Sequence, residues 1–143
     1  MPYITINDVR KLCDKIGVQQ VPDAEVTEFI QKAEARIDAS LGTRYRLPLP
    51  LPTPPLVKSI AEDFAASFVL DKYFGGKATK EQIPLSEVYF KRAKSDLDMI
   101  LDKGLMDNLP GLSVIGPLER RPSPCMRSTT RGRSEMERAL DKL

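Results

Sequence analysis

The ten residues from Arg46 to Pro55, Arg-Leu-Pro-Leu-Pro-Leu-Pro-Thr-Pro-Pro, constrain this chain more than any other stretch. Proline holds φ near −65° and turns the residue before it away from helix, so alternating Leu-Pro excludes a helix here and favours an extended, polyproline II path. At about 3.1 Å per residue such a rod spans about 30 Å, the length of a 20-residue helix. It can return the chain along a preceding helix before the next one begins. With three residues per turn, Leu47, Leu49 and Leu51 point in different directions around the rod. Part of this apolar surface then stays exposed on a single copy, which calls for a partner.

The segments on either side read as helices. Thr5 or Asn7 caps a short first helix whose apolar positions are Val9, Leu12, Cys13 and Ile16, ended by Gly17. Pro22 and Asp23 open a second, with Val26, Ile30, Ala33, Ile37 and Leu41 at helical spacing until Gly42. Thr53 as cap and Pro54 at the first helical position begin a third, which runs to about Phe74 and is stopped by Gly75-Gly76. Its stripe of Leu56, Ile60, Phe64 and Phe68 is widened by Ala61, Ala65, Ala66 and Val69, the pattern of a central helix packed on more than one side. After a polar loop from Lys77 to Ile83, a fourth helix begins near Pro84 or Ser86 and reaches Lys103. Leu85, Val88, Tyr89, Ala93, Leu97, Ile100 and Leu101 are expected on its inner side, and Gly104 ends it. The expected fold is all-α: a small bundle of about four helices with a long proline-rich crossover and an extended C-terminal arm. Residues 1–104 form the helical domain and residues 105–143 the arm.

The arm carries no sustained periodicity. Its Pro, Gly, Ser, Thr and Arg composition does not bury enough apolar surface to order by itself. Leu112, Ser113, Val114 and Ile115 can add as an edge strand to another sheet, and Ser134 to Leu140 resembles a short capped helix. Residues 119–143 hold seven Lys and Arg against four acids, whereas residues 1–118 hold fifteen against sixteen. Arg120, Arg121, Arg127, Arg131 and Arg133 either contact phosphate or an acidic protein surface, or remain solvated linker charge.

Catalytic chemistry is poorly supplied. The chain has no histidine, no Gly-rich phosphate loop and only two cysteines, Cys13 and Cys125, without metal-binding spacing. No disulfide, metal or cofactor is expected. Asp96, Asp98 and Asp102 are interspersed with Lys94 and Lys103, which reads as a solvated face rather than an acid pair. Glu62 and Asp63 read the same way unless the third helix is surrounded, in which case they need partners from another helix or subunit. Arg44, Tyr45 and Arg46 follow the second helix; either Tyr45 packs on helix ends with the arginines capping carbonyls or solvated, or the triplet anchors a subunit contact. No apolar run approaches the ~20 residues of a membrane span, and the N-terminal residues lack the pattern of a signal peptide.

The string Ile37-Asp38-Ala39-Ser40-Leu41-Gly42-Thr43-Arg44-Tyr45-Arg46-Leu47-Pro48-Leu49, followed by Pro54-Pro55-Leu56-Val57 opening a helix, resembles the Mu-like head-to-tail connector proteins of tailed bacteriophages, also called adaptor or head-completion proteins. The resemblance extends over roughly residues 1–103. It implies an α-helical, non-enzymatic virion protein made in the host cytoplasm. It further implies a ring, commonly of twelve copies, beneath the portal, through which genomic DNA passes without sequence recognition. The portal and a stopper or tail-completion protein are the implied partners, with Arg44 to Pro55 near subunit contacts and residues 105–143 reaching towards a neighbour. From the residues alone, three other functions stay open: a nucleic-acid-binding module using the arginine-rich arm, a small metal-dependent enzyme using the fourth-helix aspartates, and a regulatory cytosolic helical protein.

Overall fold

The computed structural model describes residues 2–75 and 83–115, with residues 83 and 84 described for backbone alone. Gly76, the loop from Lys77 to residue 82, Cys125, the five arm arginines and the Ser134 to Leu140 helix lie outside the described residues. Four helices follow in order: α1 (Ile6–Leu12), α2 (Asp23–Leu41), α3 (Pro55–Phe74) and α4 (Ile83–Lys103). The bundle is all-α, as the periodicity predicts. α3 is its centre, packed against each of the other three. Val57, Ile60, Ala61, Phe64, Ala65, Ala66, Val69 and Leu70 are all buried, and the alanines let neighbouring backbones approach closely.

Each helix boundary has a local cause. Thr5 caps α1, its backbone N–H donating to the Asp8 carboxylate at 3.0 Å and its hydroxyl at 2.8 Å. α1 ends at Leu12, short of Gly17, because residues 13–16 turn instead and still bury Cys13 and Ile16. Arg10 fastens that turn. Its guanidinium donates to the carbonyls of Ile16 and Val21 and pairs with Asp23 at 2.6 Å, tying the turn to the first residue of α2. Pro54 caps α3 and Pro55 is its first residue, one position later than expected.

α4 faces inward through Ser86, Ala93, Leu97 and Ile100 rather than through Leu85 and Val88, which are 49% and 54% exposed. With 3.6 residues per turn, a helix whose inner line runs through positions 93, 97 and 100 carries positions 85 and 88 about 90° and about 150° away from it. The Ser86 hydroxyl donates to the Asp71 carboxylate of α3.

The one strongly buried carboxylate on α3 is Asp63. Arg92 of α4 reaches it with two parallel bonds, Nε to Oδ2 at 2.6 Å and Nη2 to Oδ1 at 2.5 Å. Asp63 is therefore no solvated surface acid, since α3 is enclosed and the partner comes from another helix. Cys13 is a free thiol buried against the Ala66 carbonyl, and burial pushes its pKa up to about 11.

Candidate assembly surface at the crossover

At the end of α2 the backbone N–H groups of Arg44 and Tyr45 donate to the Leu41 carbonyl, which turns the chain and drives Tyr45 into the core at 1% exposure. The Tyr45 hydroxyl donates to Asp107 Oδ1 at 2.6 Å. Arg44 brackets the same carboxylate, Nε to Oδ1 at 3.0 Å and Nη2 to Oδ2 at 2.5 Å, while its Nη1 donates to the Leu101 carbonyl in the last turn of α4. One arginine thus closes the C-terminal end of α4 and clamps the segment that follows it. These bonds hold the Asp107 carboxyl down at about 2, Arg44 being the largest cause and Tyr45 the next. Burial, together with the bond to Asp107, pushes the Tyr45 phenol above its ordinary value and keeps it a donor.

Residues 105–115 fold back on their own helices, which corrects the expectation that the whole arm orders only against another molecule. Met106 is 2% exposed. Leu112, Ser113, Val114 and Ile115, expected to pair with a foreign sheet, run antiparallel to residues 44–46 of the same chain. Tyr45 bridges Val114, the Arg46 N–H donates to the Ser113 carbonyl at 2.9 Å, and the Ile115 N–H donates to the Arg44 carbonyl at 2.8 Å. Tyr45 offers a buried aromatic surface and Arg44 an ionic partner within the chain, so the segment does not need a partner's sheet edge. Asp107 and Met106 were not singled out by sequence reasoning; the signal was the apolar pair Leu105-Met106 directly after a glycine stop, a common accompaniment of a helix C-cap.

Gly104 makes this return possible. Its φ is +62°, and a Cβ there would lie 2.5 Å from Arg44 Nη2 and 2.8 Å from Asp107 Cγ. Gly104→Ala is expected to cost about 1–2 kcal/mol through the left-handed backbone, and it also displaces the Arg44–Asp107 pair. A thermal midpoint lowered by several degrees checks this; an unchanged midpoint contradicts it.

The crossover departs from a uniform rod. It bends at residues 47–48 and 51–52 and has cis peptide bonds at Leu47-Pro48 and Leu51-Pro52. Packing takes precedence over the local polyproline preference. Leu49 turns into the core at 7% exposure, and Pro50 lies against Gly111, whose lack of a side chain leaves room for it, a Cβ there falling 3.3 Å from Pro50 Cβ. Leu47 and Leu51 remain 39% and 65% exposed. With Tyr3, Asp38, Pro48 and Leu49 they line a cleft of about 520 Å³. Tyr3 is anchored there by its N–H to Glu34 at 2.5 Å and its hydroxyl to Asp38. Val114, 42% exposed, and Ile115, partly covered, lie along the same end of the bundle, whereas Leu112 packs against the core. Of the predicted interface residues, then, Leu47, Leu51, Arg46 and Val114 present side chains outward; Arg44, Tyr45 and Leu49 are used within the chain.

Among the described residues no three acids or thiols gather into a set able to hold a metal, and no helix is long and apolar enough to cross a membrane. The arrangement is a small helical scaffold that displays apolar side chains on a clamped end, the build of a structural protein. This chain belongs to the phage protein family described as Bacteriophage Mu, Gp36, whose family model matches residues 2–101. No curated protein and no solved structure matches the chain.

Proposed function

We propose that this protein is a head-to-tail connector of a tailed phage, an adaptor or head-completion protein that forms a ring of about twelve copies below the portal. It joins the DNA-filled capsid to a stopper or tail-completion protein in the neck of the virion. It acts by assembly and not by catalysis, in keeping with a chain devoid of histidine. The observation that carries this reading is the pair Leu47 and Leu51, exposed on a crossover whose base is clamped by Arg44, Tyr45 and Asp107. Apolar side chains on a fixed support lose little freedom on docking, so little of the contact energy is spent on ordering them. Membership of a Mu-like phage family gives the role its context. Weak contacts repeated around a ring then act together against the portal.

Light scattering and native mass measurement of the purified chain, alone and with portal rings, test the proposal. The expected mass is a whole multiple, near twelve, of the 16.0 kDa chain, bound to the portal. Leu51→Asp is expected to keep the helical signal and lose most of the assembly. A chain that stays monomeric both alone and in the presence of portal overturns the reading.

A further inference from the structure

A second surface, on the α2–α3 side of the bundle, has a different chemistry. A cleft of about 580 Å³ there is floored by Phe29 and Phe68 and edged by Lys32, Arg36 and Lys72. None of these three cations forms an ion pair or hydrogen bond with a described residue. The single acid on the rim, Asp71, accepts from Ser86. Two of the cations lie over rings: the Lys32 ammonium is 5.5 Å from the Phe29 centroid, and the Arg36 guanidinium is 5.7, 5.9 and 5.2 Å from those of Phe64, Phe68 and Phe90. In both, the charged head itself lies over an aromatic face without a carboxylate partner among the described residues.

The complement lies on the same molecule. On the outer side of α4, Asp98 and Asp102 stand one turn apart with Met99 beside them, 36% exposed, and neither carboxylate is paired with a described residue. This turn adjoins Leu101, whose carbonyl Arg44 ties to the crossover. A surface and its complement on different faces of one chain make a heterologous, head-to-tail contact, the type that generates rings when the rotation closes.

We infer that the Lys32–Arg36–Lys72 cleft receives the Asp98–Met99–Asp102 turn of a neighbouring copy, Met99 resting on the floor that Phe29 and Phe68 form and the carboxylates meeting the cations. The inference rests on the ring reading above and names its lateral contact. A single-stranded nucleic acid fits less well, because the ring faces on which bases would stack already carry Lys32 and Arg36. Opposite charges at the rim set which face meets which and make assembly sensitive to salt.

The test uses two charge-reversed full-length variants, Lys32→Glu/Lys72→Glu and Asp98→Lys/Asp102→Lys, with folding checked by circular dichroism and assembly followed by native mass measurement with portal present. Arg36 is left in place because it also covers three rings. Each variant alone is expected to need at least tenfold higher concentration than the unaltered chain to assemble. An equal mixture of the two is expected to assemble again, since every junction in an alternating ring pairs opposite charges. If each variant assembles like the unaltered chain, or the mixture fails to recover, the contact is refuted while the ring reading stands. If the cleft variant assembles normally but loses binding to a DNA oligonucleotide, the cleft serves nucleic acid and the inference is refuted. If the unaltered chain forms no ring, the reading beneath it fails instead.

Discussion

Arg92→Leu is expected to lower the unfolding free energy by about 3 kcal/mol, although Arg92 is a half-exposed residue, 52% open at its side chain. The cost falls on Asp63. That carboxylate is 3% exposed on the most enclosed helix and takes both of its bonds from Arg92. Removing the guanidinium strands an ionised group without donors in a place water does not reach, which is more expensive than losing the bond itself. The converse change is milder. Asp63→Ala leaves the Arg92 guanidinium open to water and over Tyr89, whose centroid is 5.1 Å away, so about 1–2 kcal/mol is expected. Replacing both residues with leucine is expected to cost less than Arg92→Leu alone. Denaturant unfolding of the three variants measures all of this. If Asp63→Ala proves the most damaging of them, the buried-acid argument is wrong.

The Asp63–Arg92 pair also shows where sequence reading reaches its limit. In the sequence Glu62 and Asp63 read as a solvated face, and only if α3 is surrounded, as its breadth of apolar positions allows, does an acid within it need a cation. Which cation depends on the rotation of α4 about its axis. The sequence offered Leu85 and Val88 as inner residues, and that assignment also changes the direction in which Arg92 points. Short apolar positions near a helix start weigh equally in a pattern whether they face α3 or solvent; only the packing of Ala93, Leu97 and Ile100 against α3 decides it. Helix existence, order and most ends were readable because capping residues, glycines and prolines act locally; the end of α1, five residues short of its expected glycine stop, was not. The crossover was readable as non-helical for the same reason, yet its path was not, since Leu49 and Pro50 respond to the core and to Gly111, dozens of residues away. The Arg44-Tyr45-Arg46 triplet stood out by composition. Its inward use depended on Asp107, 62 positions further along from Tyr45, in a stretch where periodicity had ended.

Asp107→Asn is expected to release residues 105–115 while leaving the four helices folded. An asparagine has one carbonyl oxygen where the carboxylate accepts from Arg44 Nε, Arg44 Nη2 and the Tyr45 hydroxyl, and its amide hydrogens face the guanidinium. With the clamp gone, the bonds from the Arg46 and Ile115 amides lose their support, and their hydrogen exchange is expected to accelerate on the order of tenfold or more. Acid does the same to the unaltered protein. Because the folded-state pKa of Asp107 is held at about 2, below its ordinary 3.8, the stabilisation is complete above the ordinary value and drains away as pH falls through the lower one. The near-ultraviolet tyrosine signal from Tyr45 should therefore hold steady down to about pH 4 and change between pH 4 and 2, a step that the asparagine variant lacks because its segment is already free. The same variant separates the two surfaces of the proposed connector. Val114 and the crossover leucines depend on the clamp for their placement, whereas Lys32, Arg36 and Lys72 lie on helices that do not. Loss of portal docking with lateral association retained is the expected pattern, and unaltered exchange at Arg46 and Ile115 would show that Asp107 clamps nothing.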